Sequence, residues 1–231
     1  MENKKSQLKK NKSKLVISLL AAVLAITIAF LAGYAIANMK VPLLESQLNA
    51  YQQNLESLSL TATIGSSNSS LSCSILEGGL SSLNQELNNL NQEITAADSN
   101  SMYSSYYSSL IDQFTYVRIN YWLLAQRIEN QCRYNIVNVL MLYPQNGCSN
   151  CGTEGEELSY IEQKSNYSVI ATVLNANVNI SAVKLVDKEY NVTSYPTLII
   201  NENVTQVGYE STQQLISTIC KYAPKITLCS Q

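Results

Sequence analysis

The stretch "MLYPQNGCSNCGTEGEE", Met141 to Glu157, sets an apolar run against Pro144 and Gly147 and then presents two cysteines separated by two residues. Just upstream, "NIVNVLMLY", Asn135 to Tyr143, is a compact apolar segment bounded by turn residues, which reads as a buried strand. Downstream, residues 154–165 read as a helix, 168–175 as a strand and 180–190 as a helix. Residues 194–201 and 203–209 follow as two strands joined by an Asn201 to Asn203 turn, and a last helix runs from Ser211 to Tyr222 before Pro224. The cysteines therefore stand at a strand-to-helix junction. Two intervening residues let both sulfurs share the first helical turn, where unpaired N–H groups and the helix dipole stabilise a thiolate. In that arrangement Cys148 is the exposed nucleophile and Cys151 resolves the mixed disulfide from one turn inside.

This order of elements, with Cys148-Ser149-Asn150-Cys151 after the first strand and Tyr195-Pro196-Thr197 at the third, resembles the thioredoxin superfamily over roughly residues 135–222. The Tyr-Pro-Thr is closest to the protein disulfide isomerase and thioredoxin branches. The resemblance implies an α/β thioredoxin-like C-terminal domain, a central mixed sheet flanked by helices, that exchanges thiols and disulfides without a cofactor. It also implies a cis Pro196 beside Cys148, with Tyr195, Pro196 and Thr197 binding the extended substrate chain. Two features depart from the family. Leu140, Met141, Leu142 and Tyr143 stand where thioredoxins commonly carry a buried acid, so Cys151 lacks its usual proton partner. Ser149-Asn150 matches neither the Gly-Pro of thioredoxins nor the histidine-containing pairs of strong oxidases, and Glu154, Glu156 and Glu157 lie close by. A moderate or reducing potential is expected.

Histidine is absent from all 231 residues, which excludes Ser-His and Cys-His catalytic pairs and His-based zinc sites. Two readings compete with a redox pair: half of a thiolate metal site, for which a second CxxC is missing, and an inert bridge in a binding or assembly module.

The N-terminus suggests an address. Lys4, Lys5, Lys9, Lys10, Lys12 and Lys14 precede an uncharged stretch from Leu15 to Ala37, 23 residues long. At about 1.5 Å per residue such a stretch reads as a transmembrane helix across a core of roughly 30 Å, its lysines holding residues 1–14 in the cytoplasm. The expected localisation is a single-pass cell-membrane protein with an extracytoplasmic C-terminal domain; a signal peptide cleaved after "AIA", Ala35 to Ala37, is the alternative. Beyond Ala37, nine basic residues face sixteen acidic ones, which argues against nucleic-acid binding. All six cysteines lie on this side, as expected where disulfides persist.

Between these parts, residues 41–130 carry three apolar seams at alternating spacings of four and three. They run from Leu44 to Leu58, from Leu76 to Ile94 and from Tyr103 to Ile128. The second and third make an antiparallel hairpin turning near Ser99, which brings Cys73 and Cys132 to its open end for a disulfide. The seams serve either a self-packed bundle or a stalk that pairs chains into an oligomer. Cys220 and Cys229 close a short loop into the tail, 223–231, as a structural bridge, with a mobile relay thiol at Cys229 the alternative. The chain thus reads as a membrane-tethered thiol:disulfide oxidoreductase, with cysteine-containing exported proteins as substrates and a membrane redox partner.

Overall fold

Successive apolar residues over Val137–Tyr143 form a strand, β1, with six of its seven positions buried. Both of its faces are covered, which explains an apolar run interrupted only by the buried Asn138. The structure is a computed structural model and describes residues 20–34, 69–98, 104–132, 134–144 and 146–230. The chain divides into two compact units, Met1–Glu56 and Ser57–Gln231.

In the first unit, helix α1 spans residues 20–34. Here two expectations are corrected. Among the described residues no helix is long and apolar enough to cross a membrane. The membrane-spanning helix over 15–37, the single-pass localisation and the membrane contact through it are therefore not supported. The basic tail 1–14, the seam from Leu44 to Leu58, the turn near Ser99 and Tyr103 lie outside the described residues.

The second unit contains α2 (Ser69–Asp98), α3 (Ser104–Cys132), β1, α4 (Cys151–Lys164), β2 (Val169–Asn175) and α5 (Ser181–Glu189). β3 (Thr197–Ile200), β4 (Val204–Val207), α6 (Thr212–Tyr222) and a 3-10 turn at Thr227–Ser230 complete it. The expected fold class is corrected accordingly. The chain is mostly helical, with six α-helices among the described residues beside one small four-stranded mixed sheet. The reason is length: α2 and α3 run 30 and 29 residues, whereas no strand exceeds seven.

The sheet order is β2-β1-β3-β4, with β1 parallel to β2 and antiparallel to β3. Alternation along β1 divides two cores. Val137, Val139 and Met141 face α4, α6 and the 3-10 turn through Leu158, Ile161, Leu215, Ile219 and Leu228. Leu140 and Leu142 face Val183 and Val186 of α5 and Ile119 and Trp122 of α3. The α2–α3 hairpin therefore packs on the sheet itself. Asn138 ties them further, its Nδ2 donating to the Trp122 carbonyl at 3.1 Å.

Within the hairpin, Leu76, Leu83, Leu90 and Ala97 form a deeply buried line at a spacing of seven, and Leu80, Leu87 and Ile94 are only half-buried. A disulfide joins Cys73, inside α2, to Cys132 at the end of α3.

β2 is an edge strand, and an exposed edge invites pairing with other chains. Two charged side chains occupy it: Glu162 accepts the Ala171 N–H at 3.2 Å, and Arg118 of α3 donates to the Val173 carbonyl.

Candidate functional site

The site grows from the end of β1. Tyr143 is the last strand residue, and Gly147 then takes φ +84°, in the left-handed region that glycine enters without steric cost. α4 starts three residues after Cys148. Cys148 thus lies just ahead of the helix rather than in its first turn, and Cys151 is the first helical residue. The two are joined by a disulfide with their Cα atoms 5.6 Å apart. Cys148 is half-buried and Cys151 only 6% exposed, so the pair offers one accessible sulfur and one shielded one.

Asn150 is the N-cap of α4 but makes no side-chain cap hydrogen bond. The first-turn N–H groups consequently lack the partner that a capping side chain would supply, and their partial positive charge favours an anion such as a thiolate.

The topology brings the second motif to the same end of the sheet. Thr197, the first residue of β3, pairs with Leu142 near the end of β1. The Tyr195-Pro196 peptide is cis. Tyr195 donates its hydroxyl to Asp187 at 3.0 Å, and Thr197, fully buried, donates to the Ser194 carbonyl at 2.6 Å. Pro196 has one backbone hydrogen-bonding group, its carbonyl, and that already accepts the Gly208 N–H at 2.9 Å. Cys220 and Cys229 are joined elsewhere, where the C-terminal turn packs against α6.

Two residues join this picture whose burial sequence reasoning does not foresee: Glu154, read there only as one of three nearby acids, and Arg118, which it does not single out. The first is Glu154. It is completely buried, on the same stripe of α4 as Cys151, Leu158 and Ile161. At i+3 it is a helical neighbour of Cys151. Its Oε1 accepts the Glu210 N–H at 3.1 Å, whereas Oε2 has no hydrogen-bond partner. Burial pushes its pKa from 4.5 up to about 7; the Glu210 N–H opposes the rise, and the charges of Glu210 and Glu157 add to it. A carboxyl with this history holds a proton on and off near neutrality. The nearby Glu157 accepts from the Tyr209 hydroxyl at 3.0 Å, and Glu156 is exposed. The three acids therefore do not act as a uniform negative patch. The signal was the spacing: 151, 154, 158 and 161 is a helical stripe with one acid in it.

The second is Arg118. Its guanidinium lies 4.2 Å from the centroid of the Phe114 ring, and burial lowers its pKa from the ordinary value. Together with Tyr143, Cys151, Gly152 and Gly155 it lines a cavity of about 570 Å³ next to Cys151. Among the described residues no group of histidine, cysteine, aspartate and glutamate is arranged to hold a metal ion.

No protein-family model matches this chain. No curated protein matches it either. A solved structure of a malarial protein is similar at 20% identity over 37% of this chain and 96% of its own, with a TM-score of 0.33. A likeness that distant carries no argument about fold or activity.

Proposed function

We propose that this chain is a thiol:disulfide oxidoreductase acting on cysteine-containing proteins through Cys148 and Cys151, as its resemblance to the thioredoxin superfamily implies. The observation that carries the reading is the asymmetry of the pair: an accessible Cys148 ahead of an uncapped helix, and a shielded Cys151 three residues before the buried Glu154, one of whose carboxyl oxygens has no hydrogen-bond partner.

In the reducing direction, the Cys148 thiolate attacks one sulfur of a substrate disulfide and expels the other as a thiolate, leaving a mixed disulfide. Cys151 then loses its proton to the Glu154 carboxylate and attacks the Cys148 sulfur. The Cys148–Cys151 bond forms, the substrate sulfur leaves as a second thiolate, and two electrons have passed from the dithiol to the substrate. Oxidation runs the same steps backward, with Glu154 returning the proton to the Cys151 thiolate as it is expelled. Cysteine-containing proteins are the substrates in either direction, and a redox partner resets the pair.

An inert bridge packed on the core is the competing reading, and the burial of Cys151 favours it. Trapping separates the two. A Cys151→Ser variant, reduced and offered insulin as a model disulfide protein, accumulates a mixed disulfide through Cys148 that non-reducing electrophoresis detects. If Cys148 is readily alkylated yet no mixed disulfide forms, the exchange reading fails.

A further inference from the structure

The cavity of about 570 Å³ beside Cys151 falls in the volume range of small-ligand sites. Its floor is the α4 face that carries Gly152 and Gly155. Neither glycine takes a positive φ, and a Cβ built at either would meet nothing within 4 Å. Inside a helix, glycine costs about 1 kcal/mol relative to alanine. Neither backbone conformation nor packing calls for these glycines, and their effect is to keep the space next to Cys151 clear.

Its wall is Arg118. Arg118, a half-buried residue, donates to the Val173 carbonyl, lies over the Phe114 ring and lines the cavity with Tyr143. None of these three groups carries a formal charge. A cation partly withdrawn from water and held by uncharged groups is stabilised by an incoming anion; Glu162, which lines the adjoining cavity with Arg118, has its own carboxyl pushed up to about 7 by burial. The guanidinium fork has five N–H donors, of a geometry that suits a carboxylate. Glu156 also lines the cavity, but its side chain is exposed, so its repulsion is screened by solvent. It disfavours multiply charged anions more than a single carboxylate.

We propose that this cavity binds a small thiol carrying one carboxylate, or the disulfide of that thiol, with Arg118 pairing the carboxylate and the sulfur held against the Cys148–Cys151 pair. The ligand's role rests on the exchange reading above. Its thiolate bonds to one sulfur of the pair and the other leaves as a thiolate; a second ligand thiolate attacks the mixed disulfide and departs as the ligand disulfide. Two ligand thiols are oxidised, the pair is reduced, and the two thiol protons end on Cys148 and Cys151. Arg118 comes from α3, outside residues 135–222, so the hairpin supplies the selectivity.

The test compares 3-mercaptopropionate with 2-mercaptoethanol, a neutral thiol of similar size, as reductants of the oxidised protein. For the unaltered chain, the rate with 3-mercaptopropionate saturates with concentration and that with 2-mercaptoethanol does not. Arg118→Gln and Gly155→Leu each lower the ratio of the two rates at least tenfold, with the neutral thiol unaffected in Arg118→Gln. Should Arg118→Gln fail to fold, Gly155→Leu decides, because it keeps Arg118 and places its side chain in open space. A ratio unchanged in the folded variants, or no saturation, overturns the site while leaving exchange intact. Failure of the Cys148 trapping experiment would instead remove the exchange reading.

Discussion

Replacing Glu154 by glutamine should change stability in a way that depends on pH, and the sign follows from burial. Glu154 has a pKa of about 7 in the folded chain against 4.5 when unperturbed. The folded state therefore holds this proton more tightly than the unfolded state. The stability contributed by the neutral carboxyl is fully present below about 4.5, falls as pH rises, and is lost once pH passes about 7. The difference corresponds to about 3 kcal/mol at most. Glutamine keeps the oxygen that accepts the Glu210 N–H and carries no charge at any of these pH values. Glu154→Gln should accordingly match the parent near pH 4.5 and exceed it by up to about 3 kcal/mol at pH 8. Glu129 and Glu162 are also raised to about 7 by burial and Glu86 is raised as well, so the parent's own pH profile mixes several groups. The difference between parent and variant isolates one. Urea unfolding of the oxidised proteins at pH 5, 6, 7 and 8, with both slopes reported, measures it. A difference that stays constant across this range would refute the raised pKa, and with it the assignment of Glu154 as the proton partner of Cys151.

Two further outcomes test how the hairpin is held. Joint substitution of Cys73 and Cys132 by serine opens a loop with a sequence separation of 59 and should cost about 4 kcal/mol, read by urea unfolding with the other two disulfides intact. A loss below about 1 kcal/mol would mean that packing alone fixes the open end. Trp122→Ala should cost about 3 to 5 kcal/mol, because Trp122 is 5% exposed, packs with Leu140 and Leu142, and meets the Tyr190 ring edge-on at 6.4 Å. Unchanged thermal unfolding in that variant would show that α3 does not rest on the sheet.

Periodicity along the chain locates much of this architecture. From Asn135 onward apolar runs, helical spacing and turn residues mark each strand and helix to within a few residues, because each buried face in this region repeats within a single element. At Leu15 to Ala37 composition suggests a membrane span, whereas among the described residues no helix is long and apolar enough to cross a membrane. In the hairpin, the alternation of four and three leaves open which positions go deepest. The spacing of seven from Leu76 to Ala97 emerges only when α3 is laid against α2.

Glu154 and Arg118 escape for a different reason. Each is a charged residue within an otherwise apolar stripe, the sort of position usually assigned to a solvated face. What settles their states lies far along the chain: the Glu210 N–H for Glu154, 56 residues away, and the Val173 carbonyl for Arg118, 55 residues away. Neither partner has a sequence signature, because both are main-chain groups that any residue could supply. Their positions follow from where α6 begins and from β2 being the sheet's edge. A periodicity argument can therefore find the stripe and flag the charge that interrupts it. Whether that charge is a fault, a fold-capping contact or a proton store depends on backbone donors and acceptors that only the assembled topology brings within reach.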